Sequence, residues 1–191
     1  MIKDENLIEK KKSSELIYDG KVLHLYKDEI TLPDGSEGIR EYCAHNGGVC
    51  VLPLTDDGDV LCVRQYRYAH GKVLLEIPAG KLEINEKADI RGAALRELRE
   101  ETGATCDELI YLGEMYPSPA LLSEVIYMYF ARGLQFGEND LDDDEFLECV
   151  RVPFDKMIEM IESGEIPDAK TQLTVYKVYK MLNSEKNDKE E

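Results

Sequence analysis

No stretch of this 191-residue chain approaches the roughly 20 consecutive apolar residues that a membrane-spanning helix needs, so membrane attachment by a helix is not expected. The opening residues, Met1-Ile2-Lys3-Asp4-Glu5-Asn6, also lack the apolar core of a secretory signal. Cysteine is sparse and unpatterned. Cys43, Cys50, Cys62, Cys106 and Cys149 are odd in number, have no C-x-x-C spacing and mostly fall in strand-like apolar runs. There a reduced cysteine behaves as a small hydrophobe, which speaks against a disulfide or zinc framework. His24, His45 and His70 lack ligand spacing. Basic residues are few: 23 Lys and Arg stand against 40 Asp and Glu, a net charge of -17. A nucleic-acid partner is therefore not expected, because binding a phosphate backbone needs a basic surface. A small phosphorylated molecule stays possible where a metal and a few arginines screen the charge. On these grounds the chain is expected to be cytoplasmic, with no nucleic-acid or membrane partner.

What the chain does have is concentrated in Arg96-Glu97-Leu98-Arg99-Glu100-Glu101-Thr102-Gly103-Ala104. Glu97, Glu100 and Glu101 stand at i, i+3 and i+4 among strong helix formers, so one helical face carries three carboxylates. Like charges at that spacing cost an isolated helix about 0.2–0.5 kcal/mol per pair. A hard divalent cation turns that repulsion into ligation, because Mg2+ and Mn2+ take carboxylate oxygens. Asp89 is a candidate N-cap for this helix and Gly103 its C-cap, with Ala94, Leu95 and Leu98 facing the core opposite much of the acidic face.

The rest of the chain reads as mixed strands and two further helices. Residues 1 to about 13 are polar and expected to fray. Three or four short antiparallel strands follow up to Cys43, broken by the turns Asp19-Gly20 and Pro33-Asp34-Gly35-Ser36. They hold too little apolar content for a core of their own and need a partner surface. Gly47-Gly48 marks the expected boundary. This gives an N-terminal β-sheet over 1–45, a main domain over 46–182 and a charged tail over 183–191. In the main domain strands are expected near 49–54, 60–68, 73–77, 109–116, 125–131 and 146–152, with helices over 154–162 and 168–182.

The acidic segment, with Gly80 in Glu76-Ile77-Pro78-Ala79-Gly80-Lys81-Leu82-Glu83 ahead of it, resembles a Nudix box. That box has a Gly, a spaced Glu, then R-E-U-x-E-E-x-G-U with U aliphatic. The second half matches at every fixed position. The first half departs: the family spacing puts its Glu at Ala88, and a two-residue insertion before Asp89 leaves Glu83 or Glu86 as the loop-bracing glutamate. Val63-Arg64-Gln65-Tyr66-Arg67-Tyr68 and Pro117-Ser118-Pro119 are similar to the ADP-ribose pyrophosphatase branch, in which a proline stands 16 residues beyond the box Gly, here Gly103 and Pro119.

The resemblance implies an α+β fold, the Nudix α/β/α sandwich with a mixed sheet, preceded by a small antiparallel N-terminal sheet. It implies Mg2+, with Mn2+ as substitute, held by Glu97, Glu100, Glu101 and the backbone carbonyl of Ala79. Arg96 and Gly80 would be structural, and Glu100 catalytic as well as a ligand. Glu145 best matches the family's general base, with Asp143 as runner-up in the run Asp142-Asp143-Asp144-Glu145. Substrate contacts would come from Arg67 (or Arg64, on the opposite strand face), Arg40, Glu124 and Tyr26 (or Tyr18) as an adenine stacker. The implied reaction splits ADP-ribose into AMP and ribose 5-phosphate in a homodimer whose N-terminal sheet crosses to the partner. The alternatives are another nucleoside diphosphate sugar, such as a UDP- or GDP-sugar, or a non-catalytic ADP-ribose sensor. The last usually carries a degraded box and a DNA-binding module, neither of which stands here.

Overall fold

The computed structural model describes residues 3–137 and 146–190, and their contacts group into two units. One unit comprises the chain up to Asn46 together with Tyr116–Glu124, and the other comprises Gly47–Met115 and Val125–Glu191.

The first unit is an antiparallel meander of β1 (Lys10–Asp19), β2 (His24–Thr31) and β3 (Glu37–Ala44). β1 starts earlier than the sequence suggested, because Lys10 and Lys11 pair with Thr31 and Ile30 instead of fraying. Of the three or four strands expected there, the described residues form three, because His24–Thr31 is one continuous strand. The Pro33 turn is as its residues suggest: Gly35 has φ 88° and Asp34 Oδ1 accepts from the Ser36 amide at 2.9 Å. Segment 116–124 returns to this sheet through Cys43 N–H to Leu121 O at 2.8 Å and Ser123 N–H to Cys43 O at 3.1 Å.

The second unit is built on a mixed sheet in the order β7 (Ala79–Lys81), β4 (Gly48–Pro53), β9 (Ile126–Phe136), β8 (Ala104–Met115). β4 and β9 run parallel, while the two outer pairings are antiparallel. A second, antiparallel sheet has the order β10 (Leu147–Pro153), β5 (Asp59–Arg67), β6 (Lys72–Glu76). β4 is buried at every residue, which explains why its sequence is apolar without alternation. Its side chains divide between two cores. Val49 and Val51 join Leu61, Ala94, Leu98 and Tyr129 under α1 (Ile90–Thr102). Cys50 and Leu52 join Val60, Met128 and Phe130 with residues of α2 (Phe154–Glu162) and α3 (Ala169–Glu190). Helices therefore cover both faces of the strand layer.

Two elements differ from their sequence reading. β7 lies outside the strands expected from the sequence, but its three residues hydrogen-bond along β4, which places Gly80 opposite Val49. α3 continues past Leu182 through the charged tail to Glu190, a stretch of helix-favouring residues anchored in part by Glu185 on Arg132 at 3.2 Å. No helix among the described residues is long and apolar enough to cross a membrane.

Candidate active site

α1 begins where Asp89 Oδ1 accepts from the Gly92 amide at 2.8 Å and ends at Gly103, whose φ of 69° is the left-handed conformation that suits glycine. Between these caps the carboxylates are not on a solvated face opposite the core, as the sequence suggested. Glu97 and Glu101 are 6% and 2% exposed and share the buried side of the helix with Ala93, Ala94 and Leu98, while Leu95 is only half-buried. Gly80 explains this placement. A Cβ there would stand 1.9 Å from Glu97 Oε1 and 2.0 Å from its Cδ, so the missing side chain is the space that the Glu97 carboxylate fills. One residue earlier, the Ala79 amide donates to Glu101 Oε2 at 3.1 Å. Strand β7 thus receives two of the three helix carboxylates.

Arg96 gathers the acids. Its Nε and Nη2 reach the two oxygens of Glu86 at 2.7 and 3.0 Å, Nη2 also meets Glu97 Oε1 at 2.9 Å, and Nη1 meets Glu100 Oε2 at 2.6 Å. The Arg96 hydrogen bonds hold the Glu86 carboxyl below its ordinary value. This geometry separates the two glutamates that the insertion left open. Glu86 braces Arg96, while Glu83 caps the short 3-10 turn Ile84–Ala88 and donates its amide to Glu86 Oε2 at 2.9 Å.

Arg67 and Arg64 also separate. Arg64, exposed on β5, pairs with Glu148 at 2.5 Å. Arg67 is half-buried and forks onto Glu76, Nε to Oε1 at 2.7 Å and Nη2 to Oε2 at 2.8 Å. Glu76 receives Lys170 as well, and Lys170 meets Asp168 at 3.1 Å. The sequence reading assigned Glu76, Lys170 and Asp168 no role. The available signal was a carboxylate within the apolar run 73–77, since a buried charge must be paired.

A family model described as "NUDIX domain" matches residues 44–172, and one described as "Nucleoside diphosphate sugar hydrolase N-terminal domain" matches 9–42. The chain belongs to the Nudix family. Among its relatives, an "ADP-ribose pyrophosphatase" of Bacillus subtilis is 39% identical, covering 90% of this chain and 92% of that protein. A "Methanol dehydrogenase activator" of Bacillus methanolicus is 40% identical, covering 87% and 90%. The fold is shared with a solved "ADP compounds hydrolase" at TM-score 0.82 and 21% identity, covering 93% of this chain and 95% of that one.

Nudix hydrolases use divalent metal ions, and the donors on α1 and β7 fit one. Their chemistry suits a hard cation: carboxylate oxygens on one helix face beside the Ala79–Gly80 backbone. The arrangement seen is the arginine-held one. Among the described residues no three acidic, His or Cys side chains converge as they stand, since Arg96 holds Glu97 and Glu100 while Glu101 faces the Ala79 amide.

The remaining candidates of this Nudix chain fall into two groups. Glu145 and Asp143 fall outside the described residues. Arg40, Tyr26, Pro119 and Glu124 belong to the unit of the N-terminal sheet. Within it Arg40 is paired with Glu9, Nε to Oε2 at 2.9 Å. Tyr26 stacks on its cross-strand neighbour Tyr42 at 5.7 Å, Tyr18 is exposed, and Glu124 lies 3.5 Å from His45 Nδ1.

Proposed function

We propose that this Nudix hydrolase cleaves the diphosphate of ADP-ribose to AMP and ribose 5-phosphate in a Mg2+-dependent reaction, with Mn2+ as a substitute. The observation that carries this reading is the near-full-length likeness to an ADP-ribose pyrophosphatase, joined to a helix that presents Glu97, Glu100 and Glu101 beside Gly80. Bound there, Mg2+ would neutralise and polarise the diphosphate oxygens. Glu97, Glu100, Glu101 and the Ala79 carbonyl would hold it, and Glu100 would share in the chemistry through its ligand contact. Arg96 and Glu86 keep the carboxylates together, and Gly80 and Gly103 preserve the close approach and the helix end.

Arg67 grips the diphosphate, since a guanidinium matches phosphate oxygens as a fork. Glu145 takes the proton of the attacking water. Tyr26, Arg40 and Glu124 contact the substrate, with Arg40 and Tyr26 delivered from the partner subunit. Pro119 shapes the loop that carries Glu124.

The protein acts in the cytoplasm as a homodimer with crossed N-terminal sheets and without nucleic-acid or membrane partners. In support, β1 is exposed along its whole length and carries Leu16, Ile17 and Tyr18, a surface that a second chain would cover. In this reading the chain divides into an N-terminal sheet over 1–45, a catalytic domain over 46–182 and a charged end over 183–191. Light scattering that gives the mass of a single chain at micromolar concentration would remove the shared-site part of the proposal.

A second reading, hydrolysis of another nucleoside diphosphate sugar such as a UDP- or GDP-sugar, is favoured by the match of residues 9–42 to a nucleoside diphosphate sugar hydrolase N-terminal domain. A sensor that binds without cleaving is disfavoured by the intact second half of the box. Turnover of a substrate panel with product identification decides among them. AMP and ribose 5-phosphate from ADP-ribose, at the highest kcat/KM of the panel, is the expected outcome.

A further inference from the structure

The buried ion network behind Arg67 is larger than a single pair and joins three parts of the fold. Glu76, at the end of β6, is 1% exposed and binds Arg67 with both oxygens while also receiving Lys170. Lys170, 8% exposed, lies in the first turn of α3, 94 residues away in sequence. Asp168 contacts Lys170 and caps the same helix, accepting from Thr171 N–H at 2.9 Å and Thr171 Oγ1 at 2.6 Å. Thr171 Oγ1 in turn accepts from the Ile77 amide at 3.0 Å. The start of α3 is therefore tied both to the carboxylate that anchors Arg67 and to the backbone leading into the Ala79–Gly80 strand.

A carboxylate removed from water needs a counter-charge, and Arg67 already supplies one. Lys170 is a second cation on the same carboxylate, reaching Glu76 Oε2 beside Arg67. Burial pushes the Glu76 carboxyl up, but Arg67 and Lys170 together hold it below its ordinary value. The result at Arg67 is directional. Its Nε and Nη2 are committed to Glu76, Nη1 has no partner among the described residues, and the side chain is 39% exposed.

We infer that Lys170 is a positioning residue, which through Glu76 fixes the Arg67 guanidinium so that its Nη1 edge is presented to the substrate's diphosphate. This rests on the reading of Arg67 as the diphosphate-binding arginine. A purely structural network would tie α3 to the sheet and affect folding stability, but it would not act on substrate affinity through Arg67 in particular.

The test is a double-mutant cycle on the full-length protein, with ADP-ribose at saturating Mg2+ and thermal midpoints measured alongside. Arg67→Met should raise KM about tenfold or more, the loss of one charge-assisted contact to phosphate. Lys170→Met should also raise KM severalfold with kcat within about threefold of wild type, and Lys170→Arg should restore KM. In the Arg67→Met background Lys170→Met should add little, because its effect is exerted through the arginine already removed. The inference is overturned if Lys170→Met leaves KM unchanged, or if its KM effect persists in full without Arg67. An unchanged KM in Arg67→Met alone overturns the reading of Arg67, and the inference with it. Should Lys170→Met not fold, Lys170→Gln, which keeps a polar side chain but removes the charge, carries the same cycle: a KM rise that vanishes without Arg67 supports the inference, and an unchanged KM overturns it.

Discussion

The carboxylate of Glu97 occupies the position that a side chain on residue 80 would take, with Oε1 1.9 Å and Oε2 2.3 Å from where a Cβ would be. A glycine on strand β7 and an acid on helix α1 are thus one steric unit. The close approach lets the acid stay at 6% exposure while contacting Arg96.

Gly80→Ala should separate activity from stability. The atoms in conflict are the far end of a flexible side chain, so the fold can yield at small cost while the carboxylate is displaced. We expect the thermal midpoint to move by about 5 °C or less and kcat/KM to fall about a hundredfold. A variant with near-wild-type turnover would show that the position of Glu97 does not matter to the reaction.

Glu101→Gln should cut turnover by orders of magnitude and leave the fold intact. The amide oxygen can still accept from Ala79 N–H, but the charge available to a metal is gone. Turnover within about threefold of wild type at saturating Mg2+ would remove Glu101 from the metal site.

Glu145→Gln should lower kcat far more than KM, since proton abstraction belongs to the climb to the transition state. If Glu145→Gln is active and Asp143→Asn is not, the base is the other acid of the run.

Acid should destabilise the protein in a defined window. Glu76 and Glu86 are both held below their ordinary value of 4.5 in the fold. A depressed carboxyl stabilises the folded state above the unfolded value, and that contribution is lost as pH falls through the folded value. Thermal midpoints should therefore decline below about pH 4.5, and less steeply in Glu86→Gln, where one of the two groups no longer titrates. Identical profiles for the two proteins would show that the Glu86–Arg96 pair carries none of this dependence.

Local chemistry was readable from the chain itself. Glu97, Glu100 and Glu101 fall on one helix because a period of 3.6 needs only neighbouring residues, and Asp89 and Gly103 bound that helix through hydrogen bonds and backbone freedom reaching no more than four residues away. The strands around Val49 and Val60 were visible from apolar runs, for the same reason. What depended on distant partners was not readable. Glu83 and Glu86 are equivalent in sequence until Arg96 is seen to reach only one of them. The burial of Glu97 and Glu101 contradicts the simple amphipathic reading, because β7 pairs with β4 and brings Gly80 and the Ala79 amide against the acidic face. The pairing of Glu76 with Lys170 spans 94 residues, and its ends meet only because α3 packs on the strand layer. Periodicity and capping are properties of a segment, so sequence determines them. Whether a charge is solvated, buried or paired is set by what the fold places opposite it, and that was decided by tertiary structure alone.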